Sequence, residues 1–167
     1  VYQPELIVVS NEGCSDTFST SLEVFEKPIA AFNFNDTCQN DTIEFLDEST
    51  VSGTASITSH AWNFDNGNGS TDVNPREAFS SDGIFDVELI VETDEGCKDT
   101  VVNSVEIFEL PVASFNWTDL CEYDSIPFYS TSTAIVGLNN YTWNFDDGNT
   151  GIDSNVNHLY AANGSYD

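Results

Sequence analysis

The chain repeats itself. "NEGCSDT" (11–17) returns as "DEGCKDT" (94–100), and "FEKPIAAFNFNDTC" (25–38) as "FELPVASFNWTDLC" (108–121), each displaced by 83 residues. "AWNFDNGN" (61–68) returns as "TWNFDDGN" (142–149), and "DGIFD" (82–86) as "NGSYD" (163–167), each displaced by 81. A unit of a little over 80 residues used more than once in a chain of 167 leaves few architectures. Each copy must bury its own apolar face or stack on a neighbour. Pro28 and Pro111 occupy equivalent places and read as linkers between units.

Inside the unit the period is two, not 3.6. Phe85, Val87, Leu89 and Val91 share one face, with Asp86, Glu88 and Glu92 on the other. Ile43 and Phe45 point one way and Glu44 the other; Trp62 and Phe64 share a face, as do Val101, Val105 and Ile107. "TDEG" (93–96) is a tight hairpin turn between two such runs. Val, Ile, Thr and aromatics dominate between Gly, Asn, Asp and Ser punctuation. Roughly seven short strands per unit predict an all-β fold of tandem immunoglobulin-like β-sandwiches. On this reading residues 1–27 match the last two strands of a unit, 28–110 a complete repeat, and 111–167 the first five strands of a truncated one. Two strands alone are marginal in water, so the flanking pieces require neighbours in sequence or another copy. With no Met, even at position 1, the chain reads as about two periods of a longer array.

Composition narrows the function. Asp and Glu number 29 against 3 Lys and Arg, a formal net charge of −26. Binding to a nucleic-acid backbone or an anionic membrane requires cationic patches and is excluded as an ordinary expectation. Hydrophobic residues make up 40% and aromatics 13%, enough for packed cores rather than a disordered acidic tail. No apolar run approaches the roughly 20 residues of a membrane span.

Trp62-Asn63-Phe64-Asp65-Asn66-Gly67 and Trp143-Asn144-Phe145-Asp146-Asp147-Gly148 resemble the Trp-Asp-Phe-Gly-Asp-Gly turn of the PKD domain, named for polycystic kidney disease protein. Asn74-Pro75-Arg76-Glu77-Ala78-Phe79 and Asn155-Val156-Asn157-His158-Leu159-Tyr160 resemble its Asn-Pro-x-His-x-Tyr segment, with Glu77 in place of the His and Phe79 in place of the Tyr. Asp65 and Asp146 stand where the family has the first Gly of the turn. The Gly-Cys-x-Asp-Thr hairpin, with a Cys before the second strand, is similar to tandem PKD repeats of very large Bacteroidota surface proteins. Gliding-motility adhesins exported by the type 9 secretion system are among them. The resemblance implies an extracellular, cell-surface location.

The acidic turn has two readings. As a site, Asp65, Asp146 and Asp147 are calcium candidates, because hard cations take several oxygens. The spacing lacks the Asp-x-Asp-x-Asp-Gly…Glu pattern of an EF-hand loop. As structure, it is a turn whose Asp and Asn oxygens accept backbone N–H bonds while Gly takes positive φ. The turn reading is favoured, and no other cofactor is expected. Trp62, Phe64, Trp143 and Phe145 are expected to be core anchors, and Trp117, which replaces Phe34, to be at least half buried. His60 and His158 stand at non-equivalent positions without a metal-ligand constellation, and His158 resembles the family's structural His. No nucleophile motif or carboxylate pair emerges, so no enzymatic activity is expected.

Cys14, Cys38, Cys97 and Cys121 are disulfide candidates. Zinc is disfavoured because no Cys-x-x-Cys occurs. Cys38–Cys97 is the simple pairing within a repeat. In an immunoglobulin topology, however, the two lie at opposite poles, about 33 Å apart along a ten-residue strand pair. Bridged Cα atoms lie within about 7 Å. Staples between consecutive repeats are therefore favoured. Taken together, the sequence points to a stalk or fibre segment of a secreted or surface adhesin. Its partners would be neighbouring repeats, surface polysaccharide or other surface proteins. The alternative is a spacer or carbohydrate-binding module of a secreted hydrolase, which would need exposed aromatics.

Overall fold

Alternation of apolar and polar residues becomes strand throughout. The computed structural model describes residues 2–118, 121 and 124–166. It divides into two compact units, Val1–Ile107 and Phe108–Asp167.

The first unit opens with a hairpin of β1 (Glu5–Val9) and β2 (Ser15–Ser19). Every described residue from 2 to 27 is exposed. Beyond Pro28 come β3 (Phe32–Asn33), β4 (Thr37–Cys38), β5 (Thr42–Glu44), β6 (Leu46–Asp47), β7 (Ile57–Asn63), β8 (Gly69–Ser70), β9 (Arg76–Ala78), β10 (Gly83–Thr93) and β11 (Lys98–Phe108). One sheet runs β4-β11-β10-β7-β8, and two short pairs, β3-β6 and β5-β9, contribute to the same core. β5 and β6 are one apolar run whose pairing switches partner: at Phe45 the backbone N–H turns to the carbonyl of Pro75, and the strand leaves β9 for β3. The long hairpin turns at Thr93–Cys97, where Gly96 has φ +80°.

The core is aromatic on one side and aliphatic on the other. Phe32, Phe45, Trp62 and Phe64 pack as tilted and edge-on rings, with Phe32–Trp62 at 5.1 Å and Phe45–Phe64 at 5.3 Å. Val87, Leu89, Val91, Val105 and Ile107 of β10 and β11 close over them. This is the all-β sandwich the alternation predicts: Ile43 and Phe45 are buried, and Glu44 is exposed.

The second unit holds β12 (Phe115–Trp117), β13 (Ser125–Ser130), β14 (Trp143–Asn144), β15 (Thr150–Gly151) and β16 (Asn155–Leu159). Sheet β12-β13-β16 and the pair β14-β15 reproduce part of the same plan. Phe115–Trp143 at 5.2 Å repeats the Phe32–Trp62 contact. The outcome differs in burial. Phe32 is 6% exposed and Phe115 47%. Among the described residues of this unit, no hairpin lies over the aromatic face as β10 and β11 do in the first.

Candidate functional site

The turn after each Trp-x-Phe strand gathers most of the unit's polar chemistry. Trp62 and Phe64 stack with rings 6.3 Å apart, and Trp143 and Phe145 do the same at 6.3 Å. Each indole N–H, carried on a ring packed beside the core, finds an acceptor. Trp62 Nε1 donates to the carbonyl of Asp72 at 2.9 Å and Trp143 Nε1 to that of Asp153 at 2.7 Å. The strand then turns back, closed by Phe64 N–H to Asn68 O and by Phe145 N–H to Asn149 O.

Asp65 and Asp146 both have φ +59°, in the left-handed region. That geometry explains why the related motif uses Gly there, and why Asp is an accepted substitute: Asp and Asn visit this region more readily than other side chains. Asn63 Oδ1 accepts the Asp65 N–H, and Asn144 Oδ1 accepts the Asp146 N–H, both at 3.1 Å. Asp65 Oδ2 also accepts the N–H of Asp86, tying the turn to β10. At Gly69 the chain passes so close to β7 that a Cβ would stand 2.6 Å from the Trp62 carbonyl oxygen.

The copies diverge at one coupled pair. In the second unit His158 Nε2 meets Asp147 Oδ2 at 2.7 Å, and the imidazole lies flat on Phe145, with centroids 4.0 Å apart. In the first unit Asn66 Nδ2 donates to Glu77 Oε1 at 2.9 Å, and Asn68 Nδ2 donates to the same oxygen. Both pairs are separated by 11 residues, so the acid has changed sides of one contact. The differences Asp147/Asn66 and His158/Glu77 are each plain in the sequence. Their coupling was missed when each was taken singly; the shared spacing was the available signal.

Electrostatics follow this arrangement. Burial pushes the Asp147 carboxyl up, but hydrogen bonds from the Asn149 backbone and side chain and from His158 outweigh it and hold it below the usual range. Tyr160 is pushed up by burial and by the negative charge of Asp147. At the far end of the first unit, Asp99 accepts hydrogen bonds from Lys27 and from the Ala30 N–H, which hold it at about 2.

Asp65 and Asp147 already serve backbone and side-chain donors. Among the described residues, no three His, Cys, Asp or Glu side chains gather as a metal site. His60 Nε2 pairs with Asp47 Oδ2 at 2.9 Å, and both side chains are largely buried. It is a structural contact of the first unit, since Tyr141 and Ser130 stand at the corresponding places of the second.

All four cysteines are free, with Cys14 and Cys121 exposed and Cys38 and Cys97 half-buried. Asp36 Oδ1 accepts the N–H of Glu106, so Cys38 sits near the C-terminal end of β11, whereas Cys97 immediately precedes its start. Nine residues of strand separate those ends by about 30 Å, far beyond disulfide reach.

The anchors Trp62, Phe64 and Phe145 are buried, and Trp143 is half-buried. Trp117 is 56% exposed, against the expectation that it would be at least half buried. The reason is the open face: with Phe115, Phe128, Trp143 and Tyr160 it lines an apolar cleft of about 850 Å³ within the second unit.

The profile described as "PKD domain" matches residues 25–108 and again 109–167. Collagenase ColA of Bacillus cereus is 29% identical over 80 residues, covering 48% of this chain. The match spans only 8% of the collagenase's own length. The PKD1 domain of Vibrio anguillarum Epp is 23% identical with a TM-score of 0.47, covering 50% of this chain and 96% of that domain. The PKD1 domain of the Vibrio cholerae metalloprotease PrtV is 27% identical with a TM-score of 0.45, covering 48% and 96%. A structure of carbohydrate-binding modules from the β-sandwich superfamily is similar in fold, at 14% identity and a TM-score of 0.50, covering 64% of this chain and 54% of that one.

Proposed function

The chain belongs to the PKD domain family, and from that premise we propose that it is a non-catalytic structural segment, part of the stalk of a secreted or surface-anchored adhesin. The observation that carries this reading is tandem repetition with conserved internal geometry. The same Trp-x-Phe turn, the same indole-to-carbonyl bond and the same left-handed Asp occur in both units. What is retained between copies holds the fold. What varies is the pair beside the turn, Asp147–His158 against Asn66–Glu77. In this reading residues 28–110 are one complete repeat, flanked by 1–27 and 111–167. A net charge of −26 makes successive repeats repel one another and favours an extended array.

The Gly-Cys-x-Asp-Thr hairpin supports a large Bacteroidota surface protein of the gliding-motility adhesin kind, exported by type 9 secretion. Neighbouring repeats would be the segment's direct partners, with surface polysaccharide or other surface proteins contacted elsewhere in the array. The wide separation of Cys38 and Cys97 favours staples between consecutive repeats over a bridge within one. Non-reducing peptide mapping of the full-length protein should then yield only inter-repeat pairs. Antibodies raised against residues 28–110 should label intact, unpermeabilised cells. Label reaching the antigen only after permeabilisation would sink the surface assignment.

The exposure of Trp117 favours a second reading, a spacer or carbohydrate-binding module of a secreted hydrolase. Calorimetric titration with polysaccharides tests it. Glycan binding that Trp117→Ala abolishes without unfolding the protein would establish this reading in place of the first.

A further inference from the structure

The turn after Trp62 and Phe64 holds two asparagines that precede glycine, Asn66–Gly67 and Asn68–Gly69. Asparagine before glycine is chemically labile. Glycine has no side chain to keep its backbone nitrogen away from the neighbouring carboxamide carbon. By sequence the two pairs are equals, and the fold sets them apart.

Gly67 stands open. It is exposed, its φ is +90°, and a Cβ there would meet nothing within 4 Å. The Asn66 carboxamide folds forward over it, because Oδ1 accepts the N–H of Asn68, two residues on, at 3.0 Å. The ring closed by that bond contains the Gly67 nitrogen and keeps Cγ on its side of the chain. The same N–H draws charge from Oδ1, the atom that becomes negative when a nucleophile adds to Cγ. Nδ2, the nitrogen that would leave, donates to Glu77 Oε1 at 2.9 Å.

Asn68–Gly69 is held. Gly69 belongs to β8 and pairs with Asn63 of β7. It backs onto the Trp62 carbonyl oxygen, 2.6 Å from where a Cβ would stand. Turning its nitrogen onto the Asn68 side chain would pull it out of the ladder. The Asn68 carbonyl also accepts the Phe64 N–H, and Asn68 Nδ2 donates to Glu77 Oε1.

We propose that Asn66 is a site of spontaneous modification, converted through a cyclic imide to aspartate and isoaspartate while Asn68 persists. The Gly67 nitrogen gives its proton to solvent base and bonds to Asn66 Cγ. The Cγ–Nδ2 bond breaks, and Nδ2 takes a proton and leaves as ammonia. Water then opens the imide. Attack at Cγ gives aspartate, and attack at the main-chain carbonyl of residue 66 gives isoaspartate.

The second copy shows what the aspartate product does. Asp147 stands in the place of Asn66, and its Oδ1 accepts the Asn149 N–H at 3.0 Å, as Asn66 Oδ1 accepts that of Asn68. The turn's own bond therefore survives conversion. The latch 11 residues on does not. Asp147 has His158 as its partner, whereas a new carboxylate at 66 faces Glu77 of β9. Like charges at that distance repel, and the turn is released from β9. Isoaspartate disrupts more, since it routes the main chain through Cγ inside the loop closed by Phe64 and Asn68.

Tandem mass spectrometry of peptides tests this on the full chain, held for weeks at mildly alkaline pH. Aspartate and isoaspartate should accumulate at 66 several-fold faster than at 68. In the same chain unfolded in urea the two positions should convert at comparable rates. An absence of conversion at 66, equal conversion at both positions in the folded chain, or a ranking that persists in urea overturns the proposal. Thermal melts read the consequence. Asn66→Asp should lower the melting temperature at neutral pH, and adding Glu77→His, which copies the second unit's pair, should restore much of the loss. An Asn66→Asp chain that melts as the parent does overturns the release from Glu77.

Discussion

At the scale of single residues, the turn after Trp-x-Phe holds shape by exchanging acids. Asp147 with His158, and Asn66 with Glu77, fill one contact with opposite assignments of the acid. His158→Glu alone sets two carboxylates against each other and should lower the melting temperature of the second unit. Adding Asp147→Asn should restore much of the loss, and thermal melts of both variants measure it. Asp99 gives a pH signature. Its carboxyl is held at about 2 in the fold against an ordinary value of 3.8, so the stability it contributes is complete above about pH 4. That contribution disappears as pH falls toward 2. Asp99→Asn should lower the melting temperature at neutral pH and flatten its decline between about pH 4 and pH 2, as followed by circular dichroism. The left-handed φ at Asp65 and Asp146 was not legible as a backbone angle. The substitution of Asp for the related motif's Gly was legible, and it marked the place.

Among the elements, the alternating runs were read most directly. Phe85 to Val91 and Val101 to Ile107 have inward faces at the expected positions. The short pieces were harder, because β5 and β6 look like one run in the sequence and change partners only where Phe45 meets Pro75. Burial distinguishes equivalent positions sharply. Phe45 is wholly buried, and Phe45→Ala should cost about 3–5 kcal/mol. Phe115 already meets water, so Phe115→Ala should cost under about 2 kcal/mol. Urea denaturation of the two variants compares these losses. A Phe115 penalty equal to that of Phe45 would mean that its face is covered in solution.

For the molecule as a whole, charge and repetition govern behaviour. In the acidic turn Asp65 and Asp147 serve backbone and side-chain donors. Excess chelator should leave the melting temperature unchanged, and a drop restored by calcium would assign the turn a metal. The repeat, the strand period, the family resemblance and the excess of acid are properties of order along the chain. Self-comparison and side-chain alternation report them without coordinates, and those determined the all-β tandem architecture. Which surfaces are covered is not a local property. Trp62 and Trp143 sit in nearly identical words of sequence, yet one is sealed and the other half open, because burial depends on strands far away in the chain. The exchanged acid pair and the exposed Trp117 were likewise decided only by the tertiary fold. Each depends on contacts between strands that the alternation along any one strand does not encode.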